Sequence, residues 1–117
     1  MIKPEMIPQF YGSTSFVKGW CGVIYTEGIM YLMNNEASWL VTDISSYVVD
    51  PKIKREDFIS IKLVAKDGKA EMVLDDGNGK VLARQRYTHV DLPDIELKMY
   101  MARNELGGHT LMLAGEY

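Results

Sequence analysis

Asp67-Gly68, set between two runs of alternating apolar and polar residues, constrains this chain more than any other feature. Phe58 to Lys66 puts Ile59, Ile61, Leu63 and Ala65 on one face, and Ala70, Met72 and Leu74 resume the alternation after the turn. An Asp-Gly pair accepts the positive φ that a type I′ turn demands, so the two runs predict an antiparallel hairpin. Asp75-Asp76-Gly77-Asn78-Gly79 predicts a second tight connection, into Lys80 to Tyr87, where Val81, Ala83, Gln85 and Tyr87 alternate with Leu82, Arg84 and Arg86. Beyond a longer connection carrying Pro93, Ile95, Leu97, Met99 and Met101 alternate with Glu96, Lys98, Tyr100 and Ala102. Gly107-Gly108 then leads into a short final strand, His109 to Leu113.

The first half follows a different period. Residues 1–9 read as an irregular arm, because Pro4 and Pro8 lack a backbone donor and push their predecessors towards extended geometry. Gln9 to Val23 reads as loop with one short strand or turn. From Thr26, a capping residue followed by Glu27 in a first turn, Ile29, Leu32 and Met33 share a helical face, predicting a helix that ends near Asn34-Asn35. A second helix starts at Ser38, with Leu40, Ile44 and Tyr47 on one stripe and Pro51 as its bound. The polar segment Asp50 to Asp57 leads into the strands. The expected fold class is therefore α+β: two N-terminal helices packed on a four- to five-stranded antiparallel sheet, in a single domain.

Composition excludes more than it selects. With 117 residues, 47% hydrophobic and 25% charged, the chain suits one globular core and neither a disordered nor a fibrous class. The net charge of −3, with thirteen scattered basic residues, opposes nucleic-acid binding; the weaker reading in that direction would use Lys52, Lys54, Arg55, Arg84 and Arg86 with Tyr87. A lone Cys21 rules out an intrachain disulfide and a multi-thiolate zinc site, and reads as a small buried hydrophobe. No signal-peptide pattern or membrane-length apolar run is present, so a cytoplasmic location without membrane attachment is expected.

Motifs that could carry chemistry mostly fail on spacing. Asp75 to Gly79 opens like a calcium loop, yet the twelfth position, where a bidentate Glu belongs, is Arg86. His89 and His109 each adjoin a turn, with no cluster of ligands around them, and are expected to be exposed. Gly12-Ser13-Thr14-Ser15 lacks the lysine spacing of a phosphate loop. The aromatic group Phe10, Tyr11, Phe16, Trp20 and Tyr25 is expected to pack mainly in the core; any rings exposed together would make a binding patch. Catalytic residues, a metal site and a cofactor are therefore not expected.

Tyr87-Thr88-His89-Val90-Asp91-Leu92-Pro93-Asp94-Ile95-Glu96-Leu97 resembles a motif of a family of small bacterial proteins of unknown function. Tyr11-Gly12-Ser13-Thr14, Tyr25 to Leu32, Trp39 to Ile44, the Asp76 to Gly79 turn and the closing Leu111 to Tyr117 agree in the same order. The resemblance implies cargo of plasmids, phages or other mobile elements and carries no catalytic residues with it. It places a site, if one exists, among loop residues: Tyr11, Thr14, Thr26, Glu27, Thr88 and Tyr117, joined by Trp20 from the aromatic group and by His89.

These readings lead to a small intracellular, non-enzymatic protein that binds another protein through a sheet edge or its aromatic surface. Inhibition of a host defence system, as by an anti-CRISPR protein, is the concrete form that a mobile-element setting suggests. The alternative is a small ligand-binding protein or hydrolase, with a pocket between helices and sheet formed by residues such as Thr26, Asp43, His89 and Tyr117. A homodimer is expected as readily as a monomer, because His109 to Leu113, as a terminal strand, could pair across a two-fold axis.

Overall fold

Two turn residues with positive φ, Asp67 at 53° and Gly68 at 76°, close the predicted hairpin as a type I′ turn, and the sheet grows outward from it. The computed structural model describes residues 1–12 and 15–117. In chain order the elements are β1 (Val17–Lys18), β2 (Ile24–Tyr25), α1 (Glu27–Leu32), α2 (Ser38–Ser46), α3 (Pro51–Lys54), β3 (Phe58–Lys66), β4 (Lys69–Asp75), β5 (Val81–Tyr87), β6 (Ile95–Arg103) and β7 (His109–Leu113). They form one seven-stranded sheet in the order β1-β2-β7-β6-β3-β4-β5, antiparallel at every pairing except the parallel one between β2 and β7. The fold is α+β, as expected, but the sheet is larger than the four or five strands expected and is mixed.

The two extra strands lie where the sequence shows little alternation. β1 and β2 have two residues each, too short for a period to register; β2 pairs with β7 and β1 with β2. That pairing also removes β7 from the rim: it lies between β6 and β2, so the exposed terminal strand expected for a two-fold contact is absent. The rim strands are β1 and β5.

The helical layer occupies residues 27–49 as one stretch interrupted in its middle. Asn35 (φ −123°, ψ 43°) and Glu36 (φ 72°, ψ 14°) break the helical geometry, and Asn35 Nδ2 bonds back to the Tyr31 carbonyl at 2.7 Å. The two helices expected are thus one main helix over 27–49, and the expected end near Asn34-Asn35 and restart at Ser38 correspond to the break inside it. α3 was not expected. Its signal is nevertheless present, since Asp50 Oδ1 accepts from Lys52 N at 2.9 Å and Pro51 takes the first helical position, where its missing N–H is no loss. The expected irregular arm contains a 3₁₀ helix, Pro4–Gln9; Ile2 beside it is buried, and Phe10 packs against Tyr31 with ring centroids 5.3 Å apart.

The core fills the space between helices and sheet. Ile29, Leu32, Leu40, Val41 and Ile44 face Ile59, Ile61, Leu63, Met72, Leu74, Leu97, Met99 and Met101, all of them inaccessible to solvent. The tyrosine hydroxyl that enters this layer is satisfied: Tyr25 Oη accepts from Trp20 N at 3.1 Å and lies 2.6 Å from Ser45 Oγ. One alternation fails at β5. A bulge between Leu74 and Asp75 pairs Asp75 with Val81, so Leu82 turns inward and is buried while Val81 faces out.

Two single residues also differ from expectation. His109 is buried, not exposed, and its Nε2 donates to the Glu56 carbonyl at 2.7 Å, a partner that only the fold supplies. Cys21 is exposed rather than core, because it sits at φ 57° in a turn between β1 and β2.

Candidate functional site

Period-2 alternation gives each of the strands β3, β4 and β6 a second face, and among the described residues no α-helix lies over it: its side chains are exposed or half-buried. On that open face the register aligns Lys98, Lys62, Val73 and Arg84 in one row across four strands, and Glu96, Val64, Glu71 and Arg86 in the next. Lys66 stands opposite Lys69 beside the hairpin turn. Six cations (Lys62, Lys66, Lys69, Arg84, Arg86, Lys98) thus face three carboxylates (Glu71, Asp75, Glu96) on a chain whose overall charge is −3.

The other end of the same face is apolar. Phe58 and Tyr100 pack with ring centroids 5.0 Å apart, and Tyr117 meets them edge-on at 5.5 and 5.3 Å. Lys98 Nζ lies 5.7 Å from the Tyr100 centroid, joining the two ends through a cation–π contact. A shallow cleft of about 320 Å³ adjoins the rings, lined by Phe16, Thr26, Met112, Glu116 and Tyr117 among others.

Beneath this cleft lies a buried carboxylate with a structural task. Glu116 Oε1 accepts from Thr26 Oγ1 at 2.8 Å and from Leu113 N at 3.0 Å, and Oε2 accepts from Gly28 N at 3.0 Å. It satisfies a first-turn donor of α1 that the Thr26 hydroxyl, itself a donor here, does not. Gly28 is required at that point, since a Cβ would collide with the Glu116 carboxylate and with Leu113.

The sequence-selected residues do not form one site. Thr26 and Tyr117 share the cleft just described, one buried on Glu116 and the other 76% exposed on the rings. Glu27 is exposed in the first turn of α1. Tyr11 and Trp20 are exposed at 78% and 62%. Of the five grouped aromatics, Tyr25 is buried and Phe10 half-buried, while Tyr11, Phe16 and Trp20 are exposed, so core packing accounts for only part of that group. Thr88 and His89 follow β5; His89 lines a separate cleft of about 460 Å³ with Glu36, Trp39, Gly68, Val90 and Asp91. Thr14 lies outside the described residues.

The enzyme-like constellation also disperses. Asp43 accepts from Tyr87 Oη at 3.0 Å, beside Tyr47 Oη donating to Gln85 at 2.6 Å, and these bonds tie α2 to the rim strand. Burial, reinforced by the neighbouring Asp43 carboxylate, raises the Tyr87 hydroxyl well above its ordinary range, and Tyr47 moves the same way for the same reasons. Tyr87 therefore faces the helices and cannot serve a surface with Arg84 and Arg86. In the Asp75–Gly79 turn, Asp75 Oδ1 accepts from Gly77 N at 2.7 Å and Asp76 Oδ1 from Asn78 N at 2.8 Å and Lys80 N at 3.1 Å, so these carboxylates cap the turn. The Asn78 amide, foremost, lowers the Asp76 carboxyl below the usual carboxylate range. Among the described residues no group of three or more His, Cys, Asp or Glu is placed to hold a metal ion, and no helix is long and apolar enough to cross a membrane.

The residues that sequence reasoning passed over are Phe58, Lys62, Lys66, Lys69, Lys98, Tyr100 and Met112. Their alternation was visible; what was not is that the helices lie on one side only, so that the outward set becomes a continuous surface.

Fold and surface define an α+β protein with a helical layer on one face of a mostly antiparallel sheet and a charged, ring-bearing opposite face. The chain belongs to the family of unknown function DUF6876, whose model matches residues 2–117. No curated protein and no solved structure matches it.

Proposed function

We propose that this is a non-enzymatic binding protein and that its partner, another protein, docks on the open sheet face. The observation that carries the reading is the ring cluster of Phe58, Tyr100 and Tyr117, standing on the uncovered side of the sheet beside Met112 and the exposed Phe16. Aromatic side chains that adjoin apolar neighbours on a surface are the usual anchors of protein interfaces, because they bury large area at little cost in side-chain freedom. The polar groups that could have supported catalysis are instead engaged in holding elements together, as Glu116 and Asp43 are. Inhibition of a host defence system is one form of this function, and the identity of the partner would decide it.

The test is capture from host lysate by the tagged protein and by a Tyr100→Ala/Tyr117→Ala variant, at low and high salt. One stoichiometric protein should be retained by the parent chain and lost by the variant, with both chains giving matching circular dichroism spectra. Equal retention by the two would refute the open face as the docking surface.

A further inference from the structure

Lys62 and Lys98 occupy directly opposed positions on neighbouring strands, and so do Lys66 and Lys69. Like charges placed opposite one another in an antiparallel pair weaken it. The sheet carries two such pairs on one face while the chain as a whole is acidic. Internal compensation is partial: Glu96 reaches Lys62 at 3.4 Å, and Glu71 takes both Arg84 and Arg86, at 3.8 and 3.1 Å. All of these groups are solvent-exposed, so the pairs contribute little to folding. A surface that concentrates cations against the sign of its own chain is complementary to an anion.

The distribution of those cations selects the kind of anion. They gather towards the β3–β4 turn, and the rings gather at the opposite end of the same strands, with Lys98 over Tyr100 at the junction. Single-stranded nucleic acid alternates phosphate and base at every nucleotide and is met by cations interleaved with rings whose faces are free. Here rings and cations are segregated, and the three rings pack against one another at interplanar angles of 44°, 82° and 75°. A second copy of this chain, meeting the face isologously, would set cations against cations. A polypeptide whose acidic residues are segregated from an apolar one matches both ends.

We propose that the open face binds an acidic protein segment, its carboxylates over Lys62, Lys66, Lys69 and Lys98 and an apolar side chain against Phe58, Tyr100 and Tyr117. This deepens the binding function proposed above and rests on it.

The probe is a short fluorescent peptide with a run of glutamates followed by leucine and phenylalanine. Its controls are the same peptide with lysine in place of glutamate, and oligodeoxythymidylate of equal charge. The acidic peptide should bind, shift the amide resonances of β3 and β6, and lose at least about tenfold in affinity to a Lys62→Glu/Lys98→Glu variant. Absence of binding, equal binding of the lysine peptide, tighter binding of the oligonucleotide, or no loss in the variant would each overturn the proposal. If it falls while the Tyr100→Ala/Tyr117→Ala variant still loses the lysate partner, the docking face stands and only the partner's acidic character is wrong.

Discussion

Leu97, Met99 and Met101 of β6 are sealed beneath the helices, whereas Glu96, Lys98 and Tyr100, one residue out of step on the same strand, face outward from the sheet. β3 repeats the division, with Ile59, Ile61 and Leu63 inside and Phe58, Ser60 and Lys62 outside. The inner set is chosen for volume and mutual fit, since its only task is exclusion of water. The outer set tolerates opposed lysines that a surface selected for stability alone would replace. One strand therefore serves stability through one set of residues and, under the proposed function, binding through the alternate set, so that a substitution can address either without touching the other.

The sharpest way to break this division is to compare neighbours on β3. Leu63→Ala empties a fully buried position and should cost about 2–5 kcal/mol in urea unfolding, while Lys62→Ala next to it should stay within about 0.5 kcal/mol. Similar losses from both would show that the outer face is also part of the core.

A smaller effect is expected where the helix layer meets the rim strand. Tyr87→Phe removes the bond to Asp43 and should cost roughly 1 kcal/mol near neutral pH. The folded state raises this hydroxyl above its unfolded value of 10.0, so the stabilising contribution is complete below that pH and is lost as pH rises from there towards the folded value. The parent chain should therefore lose stability above about pH 10, and the variant should show a shallower alkaline decline in thermal unfolding. Identical alkaline limbs would assign that loss to other groups.

Least in size and opposite in sign is the change expected at Lys98. Lys98→Glu converts the opposed pair with Lys62 into an attractive one and should raise stability by about 0.2–1 kcal/mol at low salt, an increment that fades as salt is added. A destabilising result would mean that the Lys98 contact with Tyr100 outweighs the repulsion from Lys62.

Legibility followed the range over which each determinant acts. The Asp67-Gly68 turn and the strands around it were readable because turn chemistry and alternation are properties of adjacent residues, and β3 and β4 keep the residues the pattern assigned. The bulge at Asp75 reversed Val81 and Leu82, since a single extra residue leaves no compositional mark. The parallel β2–β7 contact and the capping of α1 by Glu116 escaped the sequence because neither partner has a local pattern that names the other. The open face was half legible: the outward residues could be read off, but their coalescence into one surface depends on which side the helices take.

The Glu116 carboxylate also fixes an order of events. Its bond to Thr26 joins residues 90 positions apart, and β2 joins the rest of the sheet through β7. The β3–β4 hairpin needs no such span and closes through near neighbours. A chain leaving the ribosome can therefore complete the β3–β4 hairpin while the first turn of α1 still has its amides exposed, and the N-terminal third acquires its native anchorage only once β7 and Glu116 have been made.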